Sequence, residues 1–424
     1  MANAFPKEIR IAFDESLEAF QDATVMAKHA SIYNTNQTDM ERSNNQIWRP
    51  MPYIAQSFAG SDQTANFVPQ TQLVVPASIS NRRSVPFILS DTELRDALQS
   101  GELQKAAKQK LASDINLTVS DVAALQGTLV IKRTGASAGY DDVAQCATIM
   151  NEQGIPFDDR VLGYNSRDYL GAAGNLGVAS RSFDNAKSVS AYERGKLGMV
   201  AGFDTFPLDY GYTLAAAGGG AGITISTLDA GGNIYTPTAL TVGAGGQESP
   251  TDNRYQLVTV SSTTSVVAGD AFTIATLNAV HHITKRSTGQ LKTFRVIAVN
   301  SATTMTISPP IITNQVANDA SAQYQNCTIG TKAANSAIVF LNTVAAQVNP
   351  FWQKDALEIL PGRIVVPSGV GADVMQGTTD EGLQLTLTRQ WDIKTSKLLY
   401  RLDAFWGVVN KQPEMTGIMI FNQT

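Results

Sequence analysis

The sequence predicts an α+β protein with a separate all-β domain inserted into it. Three observations lead to this fold class. A long amphipathic helix is predicted over residues 90–127, and short helices and strands alternate over 141–215. The hundred residues after 222 show no helical period and instead contain short alternating segments at 255–260, 271–275, 293–299 and 304–307. Such segments with turn residues between them are typical of a small β-barrel or sandwich.

The long helix has sequence signals at both ends. Ser90 is a candidate N-cap with Glu93 at the spacing of a capping box, and Gly127 suits the position just after a helix. Gly101 interrupts the apolar positions, so we expect a bend or hinge there. The following residues form one apolar row at steps of three and four: Leu103, Ala107, Leu111, Ile115, Val119 and Val122.

The first 38 residues begin with a second amphipathic segment. Its apolar face carries Ile9, Phe13, Leu17 and Phe20. Residues 7–22 contain two basic and five acidic side chains, which gives a net charge of −3. Three of the acidic residues are candidates for binding a partner: Asp14, Glu15 and Glu18. The alternative is that these carboxylates only solvate a helix that packs on its own subunit.

Residues 51–88 do not read as a compact core. They are rich in Gln, Ser and Pro, and no lysine occurs between Met51 and Phe87. Because a two-stranded ribbon is only marginally stable alone, this segment must lie either on its own domain or on a neighbouring molecule.

The remaining elements follow the change in composition. The run Gly218, Gly219, Gly220 predicts a flexible joint before the β domain, whose two ends must lie close together. A helix is predicted over 333–348, a strand over 160–164, and a helix with Asp141 as N-cap that ends at Gly154. Residues 383–410 predict a hairpin with its turn at 392–395. We expect three tryptophans to be packing anchors: Trp48, Trp352 and Trp406.

A search for chemistry finds no active site. There is no phosphate-binding glycine loop, no zinc or serine-hydrolase motif, and only three histidines. On a strand, the adjacent His281 and His282 would point to opposite faces, which argues against a shared metal. Cys146 and Cys327 are expected to be reduced thiols, and Cys146 is expected to be buried on a helix face. We therefore expect no catalytic residues, no metal and no cofactor.

Charge and hydropathy exclude two further classes. The net charge is −5 and no basic stripe is visible, which argues against a dedicated nucleic-acid binder. No apolar run is long enough to cross a bilayer, and the N-terminus lacks the features of a signal peptide, so we expect no membrane partner.

A series of segments occurs here in an order that matches a known family. They are the amphipathic N-terminal arm, RSNNQIWRP (42–50), the lysine-free stretch, the long helix, LVIKR and VAGFD (200–204), then TDNRYQLVTVSSTT (251–264) with TISPP (306–310), and NPFWQKDALEIL (349–360) before the hairpin. The chain resembles the major coat protein of short-tailed tailed bacteriophages of the Salmonella and Shigella type. That group has the Hong Kong 97-like fold, with an inserted domain.

The resemblance implies a division of the chain into domains. Residues 1–38 would be an N-terminal arm and 39–88 an extended loop. A peripheral domain would comprise 89–135 and 372–424 with the spine helix 90–127, and an axial domain would comprise 136–215 and 334–371. Residues 216–333 would be the inserted β-barrel domain.

The resemblance also implies a function. The protein would form an icosahedral capsid of hexamers and pentamers, assembled with a scaffolding protein in the host bacterial cytoplasm. A portal protein would occupy one vertex, and double-stranded DNA would be packaged without sequence-specific contacts. Contacts between capsomers would come from a loop of the inserted domain that carries Glu248, Asp252 and Arg254. The lysine-free loop implies no covalent cross-link between subunits.

Two other classes stay open at this point. An encapsulin-like compartment shares the fold but would lack the inserted domain and need no scaffold. A phage fibre or adhesin would be β-rich and low in charge but would lack the long helix.

Overall fold

The computed structural model describes residues 17, 20, 24–33, 46–67, 69–90, 97–179, 197–208, 210–219, 222–226, 228, 232–243, 245–315, 319–330, 335–365, 373–379 and 382–424. The chain forms two compact units. The first comprises Met1–Ile47, Ala77–Ser120 and Leu357–Val409, and the second comprises Trp48–Pro76, Asp121–Ala356 and Asn410–Thr424. Helices and strands are mixed in both, which confirms the α+β class.

The first unit is built on a six-stranded sheet that we call the hairpin sheet. Asn81–Ser90 pairs antiparallel with Lys397–Asn410 along ten residues, from Asn81 opposite Trp406 to Ser90 opposite Lys397. The predicted hairpin is confirmed, with its turn one residue later, at 393–396. Leu385, Leu387, Leu402 and Trp406 are buried. The hairpin sheet has the strand order Ser31–Ile32, Leu357–Pro361, Lys397–Asn410, Gln384–Asp392 and Asp373–Thr378, with Asn81–Ser90 beside Lys397–Asn410.

The long helix is described over Ala97–Gln126, 30 residues and about 45 Å. Its apolar row is confirmed at four buried positions: Ala107, Leu111, Ile115 and Val119. The predicted start at Ser90 is not the start of the described helix, because Ser90 is hydrogen-bonded into the strand Asn81–Ser90. Glu93 lies outside the described residues. The helix continues through Gly101 without a break.

Gly127 follows the helix, as predicted, but for a different reason. Its N–H donates to the carbonyl of Ala123 at 3.1 Å, and its backbone is not in the left-handed region. A Cβ at this position would lie 2.7 Å from the Ala123 oxygen and 3.1 Å from the backbone nitrogen of Gly417. The glycine is therefore required by close approach of two backbones rather than by a left-handed cap.

The second unit contains a six-stranded sheet that mixes parallel and antiparallel pairs, here called the mixed sheet. Its strand order is Leu129–Lys132, Thr416–Ile420, Asn349–Gln353, Arg160–Asn165, Phe203–Leu208 and Gly198–Val200. Two helices, Tyr140–Gln153 and Ser166–Ala179, belong to the same unit. Cys146 and Met150 of the first helix pack in one core with Leu162, Phe203 and Phe351.

The predicted end of the first of these helices is confirmed, and its predicted cap is wrong. Gly154 is left-handed at φ 78°, as a C-cap glycine should be. At the other end the N-cap position is Gly139 rather than Asp141. No side chain caps this end, but Asp142 in the first turn holds the preceding chain, since its carboxylate accepts the N–H of Ala138 at 2.6 Å and pairs with Arg133 at 2.7 Å.

The predicted all-β domain is confirmed as a seven-stranded sheet, here called the barrel sheet. An isolated bridge between Ile225 and Val260 joins its two end regions. In its core Phe272 stacks on Phe294, and the ring of Phe340 lies tilted against Phe272. The strand order is Thr224–Ser226, Asn335–Phe340, Ala271–Val280, Ser287–Val299, Thr304–Ser308 and Gln256–Thr259, with Cys327–Ile329 beside Ala271–Val280.

The helix predicted over 333–348 is wrong. Asn335–Phe340 is a strand in which Ser336, Ile338 and Phe340 are buried and the residues between them are exposed. A short stretch of alanine and β-branched residues satisfies both the helical and the strand period, and pairing with two neighbouring strands decides between them. The barrel sheet therefore extends past the implied end at 333.

Strand pairing also bears on the other implied boundaries. Leu357–Pro361 lies in the hairpin sheet, whereas Leu129–Lys132 and Thr416–Ile420 lie in the mixed sheet. We propose that the β domain ends after Phe340. We also propose that Leu357–Pro361 belongs to the peripheral domain, and that Leu129–Lys132 and Thr416–Ile420 belong to the axial domain. The two ends of the β domain do meet, since Thr213–Leu214 pairs with Ala346–Gln347.

Several short elements complete the described fold. Two further two-stranded pairs are Gln46–Pro50 with Val74–Ser78, and Leu240–Val242 with Glu248–Pro250. The short helices are Val25–Lys28, Thr64–Asn66, Asp319–Gln323, Lys354–Ala356 and Pro413–Met415. Within the part of the chain that the structure describes, no helix has the length and apolar character needed to cross a membrane.

Candidate functional site

The predicted partner-binding carboxylates, Asp14, Glu15 and Glu18, lie outside the described residues. Two residues of the apolar face of that segment are described. Leu17 and Phe20 are both helical, and Phe20 is fully buried. The apolar face therefore packs within the subunit at Phe20, while the role of the acidic face stays a prediction.

The predicted inter-capsomer loop, residues 243–253, follows the strand Leu240–Val242 and includes its partner Glu248–Pro250, and all six residues of this pair are exposed. Arg254 is not available there. Its guanidinium group donates to the Asp252 carboxylate at 2.7 Å and to the carbonyl of Asn410 at 3.0 Å, and the residue is buried. Glu248 is thus the exposed charge of this set, and contacts between capsomers stay a prediction.

The predicted hinge glycines stay predictions too, but their packing supplies another reason for the residue type. A Cβ on Gly218 would lie 2.8 Å from the carbonyl oxygen of Ser265, and one on Gly219 would lie 2.5 Å from the ring of Phe340. Both glycines let the chain pass close to the β domain. Gly220 lies outside the described residues.

The predicted packing anchors differ in burial. Trp352 and Trp406 are fully buried, whereas Trp48 is half-buried. Trp352 also meets Phe206 edge-on, with ring centroids 6.4 Å apart.

Large apolar side chains are exposed on two extended features. The extended loop exposes Tyr53, Phe58 and Phe67, the last with 88% of its surface in solvent. The C-terminal hairpin exposes Trp391 at the end of its first strand and Ile393 in its turn, the latter at 85%. Sequence reasoning predicted this turn but missed the exposure of these two side chains, although an isoleucine in a four-residue turn is an available signal. Exposed large apolar side chains that lie close together are typical of protein–protein contact surfaces.

The base of the extended loop is fastened to the β domain. The backbone N–H of Thr71 donates to the side-chain oxygen of Gln323 at 3.2 Å, and the hydroxyl of Tyr324 donates to the carbonyl of Thr71 at 2.9 Å. Leu73, Ile312 and Tyr324 form a small apolar cluster at this point. These contacts hold the base of the loop on the β domain.

A buried polar seam joins the barrel sheet to the end of the long helix. Arg295 has no exposed surface, and its guanidinium group donates to the carbonyls of Ala124 at 2.9 Å and Gly127 at 3.4 Å. Burial lowers the pKa of Arg295 to about 10, while Asp270 opposes that shift. The hydroxyl of Thr293 donates to the carbonyl of Thr128 at 2.6 Å. The β domain therefore supplies the C-terminal cap of the helix, and a cation suits that end of the helix dipole.

A second group of charged and titratable side chains surrounds Lys292, which lies on the same strand. The ammonium of Lys292 donates to the Glu414 carboxylate at 2.6 Å and to Gln153 at 3.2 Å. Burial opposes the charge of Glu414, but Lys292 and His282 hold its pKa below the ordinary value. Burial lowers the pKa of His282 to about 4 and that of Lys285 to about 8.

The adjacent histidines lie at a turn, and the two thiols are buried. His281 and His282 follow the end of a strand instead of lying on it, because the His281 ring nitrogen accepts the N–H groups of Ile283 and Thr284 and so forms a turn. Both cysteines are free and buried, and burial raises the pKa of Cys327 to about 12. Over the described ranges no group of three or more His, Cys, Asp or Glu residues could hold a metal ion.

A family model and several solved structures match this chain. The family model described as P22 coat protein - gene protein 5 matches residues 1–422. Among solved structures, the CUS-3 coat protein I-domain is 39% identical and covers 30% of this chain and 99% of its own, with a TM-score of 0.22. A chain from Mycobacterium phage Che8 is 10% identical, covers 93% of this chain and 90% of its own, and has a TM-score of 0.44.

The satellite phage P4 procapsid, solved with its size determination (Sid) protein, is 6% identical over 96% of this chain and 90% of its own, with a TM-score of 0.37. Membership is established by the family model, which spans nearly the whole sequence and confirms the resemblance stated above. The chain belongs to the P22 coat protein family and is a bacteriophage major capsid protein, a component of the virion that self-assembles into an icosahedral shell.

Proposed function

We propose that this subunit assembles with an internal scaffolding protein, in the host cytoplasm, into a shell of hexamers and pentamers. The shell then receives double-stranded DNA, with a portal protein at one vertex and no sequence-specific contact between coat and DNA. Support comes from membership of a coat protein family over residues 1–422 and from the net charge of −5, which suits a container better than a DNA-binding surface.

The observation that carries the proposal is the exposed aromatic surface of the extended loop. Tyr53, Phe58 and Phe67 are 49%, 45% and 88% exposed although they lie on a segment with a fixed base. Burying one such side chain contributes about 1.5–3 kcal/mol. A loop of this kind gains stability from a neighbouring subunit, as the wedge of a shell requires.

The test is co-expression with the scaffolding protein, followed by sedimentation and negative-stain imaging. Closed shells of a few hundred subunits are expected. Phe67→Ser is expected to reduce shell yield while the isolated monomer keeps its melting temperature, and Ser61→Ala on the same loop is the control. A wild-type chain that stays monomeric under all conditions contradicts the proposal, and uniform closed shells without any scaffold favour an encapsulin-like compartment instead.

The shell is proposed to be held without covalent bonds between subunits. Residues 52–86 contain no lysine, and both cysteines are buried. Boiling shells in SDS with reductant should release one band at 45.3 kDa. A ladder of multimers argues against this part of the proposal.

The scaffolding partner is proposed to dock on the acidic arm. Asp14, Glu15 and Glu18 give the segment its excess negative charge, and a basic partner helix would be attracted to it and released as ionic strength rises. Each exposed ion pair contributes only about 0.2–1 kcal/mol, so many copies must act together.

Charge reversal at Asp14 and Glu18 tests the docking site. Shells of the variant should contain less scaffolding protein, with a weaker dependence on salt. Unchanged stoichiometry and salt dependence would mean that the carboxylates only solvate the helix.

A further inference from the structure

Three segments that are distant in sequence meet around one small pocket in the second unit. Met51, Ile54 and Leu73 come from the base of the extended loop, and Ile312 and Tyr324 come from the β domain. The turn that contains Gln412, Pro413 and Glu414 closes a further side. The wall of the pocket is therefore mainly apolar but also contains polar side chains.

Two buried side chains of the pocket wall each leave one atom without a hydrogen-bond partner among the described residues. These atoms are Nε2 of His282 and Oε1 of Gln412, and both side chains line the pocket. His282 and Gln412 are each only 6% exposed. An unpartnered polar atom at this depth is costly, because it has lost water without gaining a protein partner.

The size of the pocket decides which kind of ligand it can take. It offers about 30 Å³ for the centres of water-sized molecules. One water needs roughly 10–15 Å³ of such space, so the pocket has room for about two waters and not for a drug-sized organic molecule. The count of waters therefore agrees with the count of unpartnered atoms.

From this geometry we infer that the pocket is a buried water-binding site, in which ordered water links His282 Nε2 to Gln412 Oε1. Water suits both partners. It donates to the amide oxygen of Gln412, and it can donate to or accept from the imidazole, so either tautomer of the neutral ring is satisfied. Burial keeps the His282 ring neutral near pH 7 by lowering its pKa to about 4. The water connects the β domain to the C-terminal turn beneath the base of the extended loop.

The test is a reconstruction of assembled shells at a resolution that shows ordered water. Density is expected within hydrogen-bonding distance, roughly 3 Å, of both named atoms. In Gln412→Met, which has a similar shape but no amide oxygen, that density should weaken and the melting temperature should fall by about 2 °C. Gln315→Met replaces an exposed glutamine in the β domain and should change neither property.

Four outcomes overturn the inference. The first is a pocket without density, and the second is a direct protein hydrogen bond to either atom. The third is an organic molecule that fills the pocket. The fourth is a Gln412→Met protein with the wild-type water density. None of these outcomes bears on shell assembly, so the water site and the proposed function fail independently.

Discussion

At the scale of single residues, the buried charge of Lys292 is expected to contribute to the stability of the second unit. It is 1% exposed, and its ammonium group lies 2.6 Å from a carboxylate oxygen of Glu414. Two opposite charges that are buried together stabilise each other, whereas one buried charge without its partner destabilises the fold. Breaking such a pair from one side costs about 3–5 kcal/mol, whereas replacing both partners can be nearly neutral.

Lys292→Met should therefore lower the free energy of unfolding of the monomer by about 3 kcal/mol. Adding Glu414→Gln should recover much of this loss, because the stranded carboxylate is removed. Urea unfolding of the two single variants and the double variant measures the coupling. Additive effects would show that the pair is not energetically linked.

His282 makes stability depend on pH. Its folded pKa of about 4 lies below the unfolded value of 6.5, so the unfolded chain binds more protons between these two values. Stability is then fully present above pH 6.5 and is lost as pH falls toward 4. The difference corresponds to about 3 kcal/mol.

His282→Gln should flatten this part of the pH profile of the urea midpoint between pH 6.5 and 4. The lowered pKa of Glu414 acts in the same direction but at lower pH, since a carboxylate loses its contribution as pH falls through its folded pKa. A variant that keeps the full wild-type slope would assign the effect to other groups.

At the scale of elements, two glycines predict opposite results for the same substitution. Gly127 ends the long helix where a Cβ would lie 2.7 Å from the Ala123 oxygen and 3.1 Å from Gly417, so Gly127→Ala should destabilise the monomer by about 1–3 kcal/mol. Gly174 lies within the helix Ser166–Ala179 with open space around it, so Gly174→Ala should stabilise by up to about 1 kcal/mol.

Thermal or urea unfolding of both variants checks the pair, and each serves as the control for the other. Equal stability changes of the same sign would mean that helix propensity, and not close approach, governs Gly127.

At the scale of the whole molecule, the β domain should fold alone only if its last strand is included. Asn335–Phe340 pairs with strands on both sides, and its Ile338 and Phe340 are buried in the core of the domain. A fragment of residues 216–345 should show β-sheet circular dichroism and a cooperative melt. A fragment of residues 216–333, which ends where composition suggests, should not.

If the shorter fragment melts as cooperatively as the longer one, the strand is dispensable and the boundary at 333 stands. The longer fragment failing to fold would show instead that the domain needs the buried contacts of Arg295 and Lys292 with the rest of the second unit.

The sequence by itself determined the features that depend on local patterns. The apolar row through Leu111 and Ile115, the C-cap at Gly154 and the alternating strands of the β domain follow from the periods of helix and strand. The order of these segments and of the family's motifs along the chain determined the family, and the family determined the role as a shell subunit.

Only the tertiary structure decided the features that depend on residues far apart in the chain. Asn335–Phe340 satisfies two periods and becomes a strand because two neighbours hydrogen-bond to it. From the sequence, Arg254 is predicted to be a charge on a loop. In the structure it donates a hydrogen bond to the carbonyl of Asn410, 156 residues later. The cap that Arg295 places on the long helix joins residues 171 apart, and no local pattern records a partner at that distance. Local periods act within a few residues, whereas buried charges and ambiguous strands are settled by the chain that folds against them.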